Sequence, residues 1–206
     1  KLCDFKNGLW KGKKEPFKEI NILRNTNFTK AGVLNYSNVA VHPVEIKQLK
    51  TRMLEYGDII LEKSGGGPTQ PVGRVAIFCK KDGLIYSYSN FTARIRVFDE
   101  FKINPIYLWR CLHYLHQQGI TKKCQNRTSG IRNLDLNSYK KISIPLPPLE
   151  IQEQIVTELE SYQKIIDGAK QIVENYKPTF KIDPEWEMVK LEKACNIKTG
   201  KLNANA

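Results

Sequence analysis

Cysteine is used sparingly in this sequence. The five copies (Cys3, Cys79, Cys111, Cys124, Cys195) are odd in number and dispersed, with no C-x-x-C pair. That excludes a disulfide framework and reads as free thiols in a reducing, cytoplasmic setting. No apolar run is long enough to span a membrane, and the opening residues carry no charged-then-apolar export signature. Chemistry is missing too. The glycine-rich "EKSGGGPTQPVGR" (62–74) lacks the G-K-[ST] ending that places a lysine and a hydroxyl on nucleotide and magnesium. Cys111, His113, His116 and Cys124 match no zinc spacing, and Asp58 with Glu62 and Lys63 lacks the E-x-K order of a metal nuclease. His42 stands alone before Pro43, and no Ser/His/Asp arrangement is visible. The residues thus predict no catalytic group, no metal and no cofactor in this chain.

One catalytic look-alike needs separate treatment. "NPIY" (104–107) resembles the Asn-Pro-Pro-Tyr of amino-methyltransferases, but Ile106 replaces the second proline and no glycine-rich cofactor loop follows a strand. Pro105 is better read as the first turn of a helix.

What is present is positive charge. Lys and Arg total 33 against 21 acids, a net of +12. The excess is uneven. Residues 149–176 carry six acids (Glu150, Glu153, Glu158, Glu160, Asp167, Glu174) and only two bases, Lys164 and Lys170. A basic body joined to an acidic segment predicts a polyanion partner for the body and a different role for the segment.

Periodicity divides the chain. Short apolar runs at 57–63 and 73–81, and alternation through "LIYSYSNFTARIRVF" (84–98), predict strands. "PIYLWRCLHYLHQQG" (105–119), opened by proline and closed by glycine, predicts a helix whose apolar face is Ile106, Leu108, Trp109, Leu112 and Leu115. "SYKKISIPLPPL" (138–149) predicts a short strand stopped by prolines. Then Ile155, Leu159, Tyr162, Ile166, Ala169, Val173 and Tyr176 recur at alternating four- and three-residue steps, a heptad seam that calls for a partner helix. Pro178 stops that helix. The expected organisation is a mixed α/β, strand-rich domain at 1–148, a long coiled-coil-type helix at 149–177, and a remainder at 178–206.

Basic residues interleaved with amides mark candidate nucleic-acid contacts. Lys and Arg supply phosphate contacts, while Asn, Gln and Arg can make paired bonds to base edges. The candidates are Lys11, Lys13 and Lys14; Arg24 and Asn25; Lys63, Ser64, Gly65, Gly66, Thr69, Gln70 and Arg74 around the glycines; Asn90; and Lys122, Lys123 and Arg127. Reversing the charges of Lys63 and Arg74 is expected to weaken duplex binding. The bland counterpart is a flexible hairpin loop at 62–74 and a merely solubilising surface.

One pattern recurs at the two ends: "CDFKNG" (3–8) and "CNIKTG" (195–200). Taken with "SYKKISIPLPPLEIQEQIV", the heptad helix, the following W-x-x-V-K-L and "GDIILEKSGGG…GRVAIF", it resembles the specificity subunit of Type I restriction-modification systems, over essentially the whole chain. The resemblance implies a target recognition domain followed by a spacer helix, with 186–206 as the start of a second recognition domain. It implies double-stranded DNA as ligand and methyltransferase and restriction subunits as partners, catalysis residing in those subunits. A homodimer through Ile155–Tyr176 would supply the second helix that such subunits pair antiparallel. Two other classes fit the same residues: the recognition part of a single-chain restriction–methyltransferase, and a basic coiled-coil adaptor for RNA or protein.

Overall fold

The computed structural model describes residues 2–9, 12, 14–67, 69–128, 131–177, 179–198 and 200. In chain order the strands are β1 (Cys3–Asn7), β2 (Phe17–Leu23), β3 (Ala40–Glu45), β4 (Ile59–Glu62), β5 (Ser64–Gly66), β6 (Val75–Ile77), β7 (Tyr86–Tyr88), β8 (Thr92–Val97), β9 (Gln125–Thr128) and β10 (Ile131–Leu134). The helices are α1 (Ile46–Leu49), α2 (Pro105–Gln117), α3 (Leu136–Tyr139), α4 (Leu149–Asn175) and α5 (Leu191–Ala194). The mixed α/β class, with several sheets and one long helix, is the one expected.

β4 sits in the middle of a four-stranded sheet of order β1-β8-β4-β6, and all four of its residues are buried. Side chains alternate across a strand, so its two faces serve two cores. Ile59 and Leu61, with Val75, Ile77 and Ile95, meet Leu108, Trp109 and Leu112 of α2. Ile60, with Ala76, meets Tyr86, Tyr88, Leu23 and Phe28 on the opposite side. Those last residues belong to or adjoin a second sheet, β3-β2-β7, in which β2 and β7 run parallel. α2 forms as its sequence dictates: the Asn104 side chain accepts from the N–H groups of Ile106 and Tyr107, and Pro105 fills the first turn.

Two local expectations change. The alternating run 84–98 is not one strand. It breaks at Ser89–Phe91 into β7 and β8, which belong to different sheets. The apolar residues fall on even positions in β7 (Tyr86, Tyr88) and on odd ones in β8 (Ala93, Ile95, Val97), a change of phase at the turn. Residues 140–148 form no strand either. Pro145, Pro147 and Pro148 offer no N–H to a ladder, and Ile142 and Ile144 reach the core from irregular chain.

The start of α4 is fixed by one side chain. Gln152 is fully buried; its Oε1 accepts from Asn104 N (3.0 Å), and its Nε2 donates to the carbonyls of Lys102 (2.9 Å) and Pro147 (2.8 Å). Val156 is buried beside it, and Ile155 packs against the same core. The seam therefore begins docked at Ile155 and becomes exposed from Leu159 on. The helix is 27 residues long, about 40 Å, and Tyr176 lies just past its end. Two compact units divide the chain, Lys1–Gln163 and Lys164–Ala206. In the second, α5 is a single turn, and Cys195–Lys198 forms no strand. Among the described residues no helix is long and apolar enough to cross a membrane.

Candidate nucleic-acid interface

Glu62 closes β4 with its side chain fully buried, and a buried carboxylate survives only if paired and hydrogen-bonded. Arg74 meets it with both edges of the guanidinium, Nε to Oε2 and Nη2 to Oε1, each at 2.8 Å. The same guanidinium donates to the Asn25 carbonyl (3.2 Å) and stacks over Phe28 at 5.6 Å. Asn25 Nδ2 lies 3.3 Å from both Glu62 Oε1 and the Ser64 carbonyl. One ion pair thereby ties three distant segments together.

The glycines are built structure rather than a loose loop. β5 pairs with β10 in a three-stranded sheet, β5-β10-β9, and the Ser64 hydroxyl bonds the Asn133 side chain. The Phe91 carbonyl accepts from Lys63 N (2.8 Å) and Ser64 N (3.1 Å), which clamps the 89–91 turn against this strand. Gly65 has φ +93°, and a Cβ there would sit 2.9 Å from Asn25 Nδ2. Only glycine permits both that backbone and that approach.

Two hollows flank this node. The larger, about 510 Å³, has Leu9, Ile22 and Val44 in its wall and Arg24, Asn25, His42, Asn90 and Phe91 around it. Arg24 Nε is buried there without a hydrogen-bond partner among the described residues. The smaller, about 330 Å³, brings Lys30, Arg74, His113, His116 and Lys122 together. Burial lowers the pKa of both imidazoles, so the hollow's charge at neutral pH comes from its lysines and Arg74. His116 Nδ1 lies 3.0 Å from Thr121 Oγ1, a satisfied histidine. No cluster able to hold a metal occurs among the described residues.

The sequence candidates divide accordingly. Arg24, Asn25, Asn90, Ser64, Gly65, Gly66 and Arg74 converge on the node and the larger hollow, and Lys122 joins through the smaller one. Thr69 and Gln70 are exposed in the turn closed by Gly67 N to Gln70 O, and Lys14 and Lys123 are exposed without lining either hollow. Lys63 turns away: its Nζ donates to Asn7 Oδ1 (2.7 Å), and burial lowers its pKa. Lys11, Lys13 and the Arg127 side chain lie outside the described residues. Arg74 holds a buried carboxylate, so reversing its charge tests the fold before it tests any contact.

Sequence reasoning missed His42, Phe91 and Lys30. His42 was set aside as a lone histidine because its partners are distant in sequence. The signal available for Phe91 was an aromatic between polar turn residues, and Phe91 is 47% exposed.

The family described as the Type I restriction modification DNA specificity domain matches residues 1–175. In Methanocaldococcus jannaschii, the protein assigned as the MjaX type I restriction enzyme specificity subunit is 27% identical over 135 residues, 65% of this chain and 31% of that one. The MjaVIII specificity subunit of the same organism is 28% identical over 103 residues, 38% of this chain and 24% of that one. The HsdS subunit from Thermoanaerobacter tengcongensis shares the fold with a TM-score of 0.51 at 19% identity, covering 82% of this chain and 37% of that one. A chain from a structural study of complex assembly and conformational transition in the type I R-M system gives 0.55 at 18% identity, covering 82% and 38%. The chain thus spans well under half the length of each relative.

Proposed function

Because this chain belongs to the Type I restriction modification DNA specificity domain family, we propose that it reads a short half-site in double-stranded DNA as the specificity component of a Type I complex. The observation that carries this reading is the convergence of Arg24, Asn25, His42 and Asn90 from separate segments on one hollow of a basic body. Phosphate contacts from lysines around it would set register, and the amide and guanidinium groups would read base edges. Methylation and cleavage would belong to partner subunits docked along α4, without a cofactor in this chain.

Selection from a randomised duplex pool at fixed, moderate salt is expected to enrich a motif of a few base pairs. Asn90→Ala and His42→Ala should each relax one position and weaken binding by about 1–3 kcal/mol, roughly five- to 150-fold, with thermal stability unchanged. Flat enrichment, with tight but salt-sensitive binding, would leave only a nonspecific polyanion surface.

The exposed seam supports a second element of the proposal, pairing of α4 with the helix of another copy. Leu159→Asp with Ile166→Asp is expected to give a monomer by sedimentation. A dimer that persists in this variant would reject the seam as the contact.

A further inference from the structure

Away from that hollow, β8 places two arginines on one face with opposite fates. Arg96 is saturated: Nε and Nη2 bind the two Asp58 oxygens (2.7 and 2.6 Å), Nη2 also reaches the Met53 carbonyl (3.0 Å), and Nη1 meets Glu55. Arg94 is more buried, 6% exposed, yet among the described residues its ion pair is a long one to Asp4, at 3.4 Å, and its Nε has no partner. Directly across the β1–β8 ladder from Arg94 stands Lys6. Like charges facing each other across antiparallel strands destabilise the pair. Lys50 and Thr51 complete the rim of an open pocket of about 270 Å³; with Arg96 held by Asp58 and Glu55, the charges left in its wall are Lys6, Lys50 and Arg94 against Asp4. A buried, under-partnered guanidinium with two ammonium groups in its pocket has the donor set of an oxyanion site.

We propose that this pocket binds a phosphate group through Arg94, Lys6 and Lys50. The phosphate is either a free phosphate or one of the DNA backbone. Its oxygens would take the unused Arg94 N–H and separate the facing charges of Lys6 and Arg94. The pocket shares no lining residue with the hollow of the proposed reading site, so the proposal does not depend on that reading.

The test is thermal unfolding of the full chain in inorganic phosphate against chloride at equal ionic strength. At a hundredfold excess over the dissociation constant the melting temperature should rise by roughly 5–10 °C. Lys6→Gln with Lys50→Gln should lose most of that rise while keeping the fold. Arg94→Met should lose it too, with unchanged or higher stability in chloride, because an apolar side chain of similar size replaces an under-paired buried charge. An Arg94→Met variant destabilised in chloride that keeps the rise would make Arg94 a structural partner of Asp4 and overturn the proposal. No rise in the wild type, or equal rises in all variants, would overturn it as well. Duplex binding then separates the sources. If the phosphate is the DNA's, Lys6→Gln lowers the log–log salt slope by about 0.9. An unchanged slope, or no duplex binding at all, beside a retained phosphate rise assigns the site to free phosphate.

Discussion

Gln152→Leu is expected to destabilise the fold by about 2–4 kcal/mol, because it removes three hydrogen bonds made by one fully buried side chain. Each such bond contributes roughly 0.5–1.5 kcal/mol net, and Gln152 serves Asn104 N, Lys102 O and Pro147 O. Leucine fills similar space but offers no hydrogen bond, so the loss is one of pairing rather than volume. Gln152→Glu keeps the acceptor for Asn104 N and replaces the donor with charge facing two carbonyls, so it should be no better. Urea denaturation checks both, and a change below about 1 kcal/mol for Gln152→Leu would mean the three groups find other partners. The position matters beyond its own energy. Gln152 fixes the first turn of α4 to the N-cap of α2 and to the proline-rich exit.

Arg74→Ala is expected to cost about 3–5 kcal/mol, the penalty for a buried charge left without its partner. Glu62 has no exposed side-chain surface, while Arg74 keeps 23% of its own, so the uncompensated group is the carboxylate. Adding Glu62→Leu to an Arg74→Met chain should recover most of the loss, since an apolar pair of similar volume can replace a buried ion pair. If Arg74→Ala alone unfolds at the wild-type denaturant midpoint, the pair contributes little and the node around Asn25 is held by other contacts. The double variant also isolates function: it retains the fold and removes the Arg74 charge, which the single reversal cannot do.

How much of the site was legible follows from residue chemistry. Arg24, Asn25 and Asn90 were identifiable as side chains able to read bases, and all three line one hollow. That Lys63 and Arg74 are engaged internally was not legible, because their partners Asn7 and Glu62 carry no mark of burial in the sequence. The glycine run read equally well as a hairpin loop. Its strand character depends on β10, some seventy residues away, and on the Phe91 carbonyl that fixes Lys63 and Ser64.

By itself the sequence determined the elements that carry their own reasons. α2 has its cap and proline, β4 its apolar run, and α4 its heptad spacing within a residue or two of the expected ends. The family pattern was also readable, because it resides in contiguous motifs. Tertiary structure alone decided pairing and burial, which depend on residues far away in the chain. The two ends show the difference. "CDFKN" is a strand because β8 lies antiparallel beside it from Cys3↔Val97 to Asn7↔Ala93, and "CNIK" at 195–198, of nearly the same composition, forms none. A single extended segment leaves its N–H and C=O groups to water. A neighbouring strand that accepts them makes it part of a sheet.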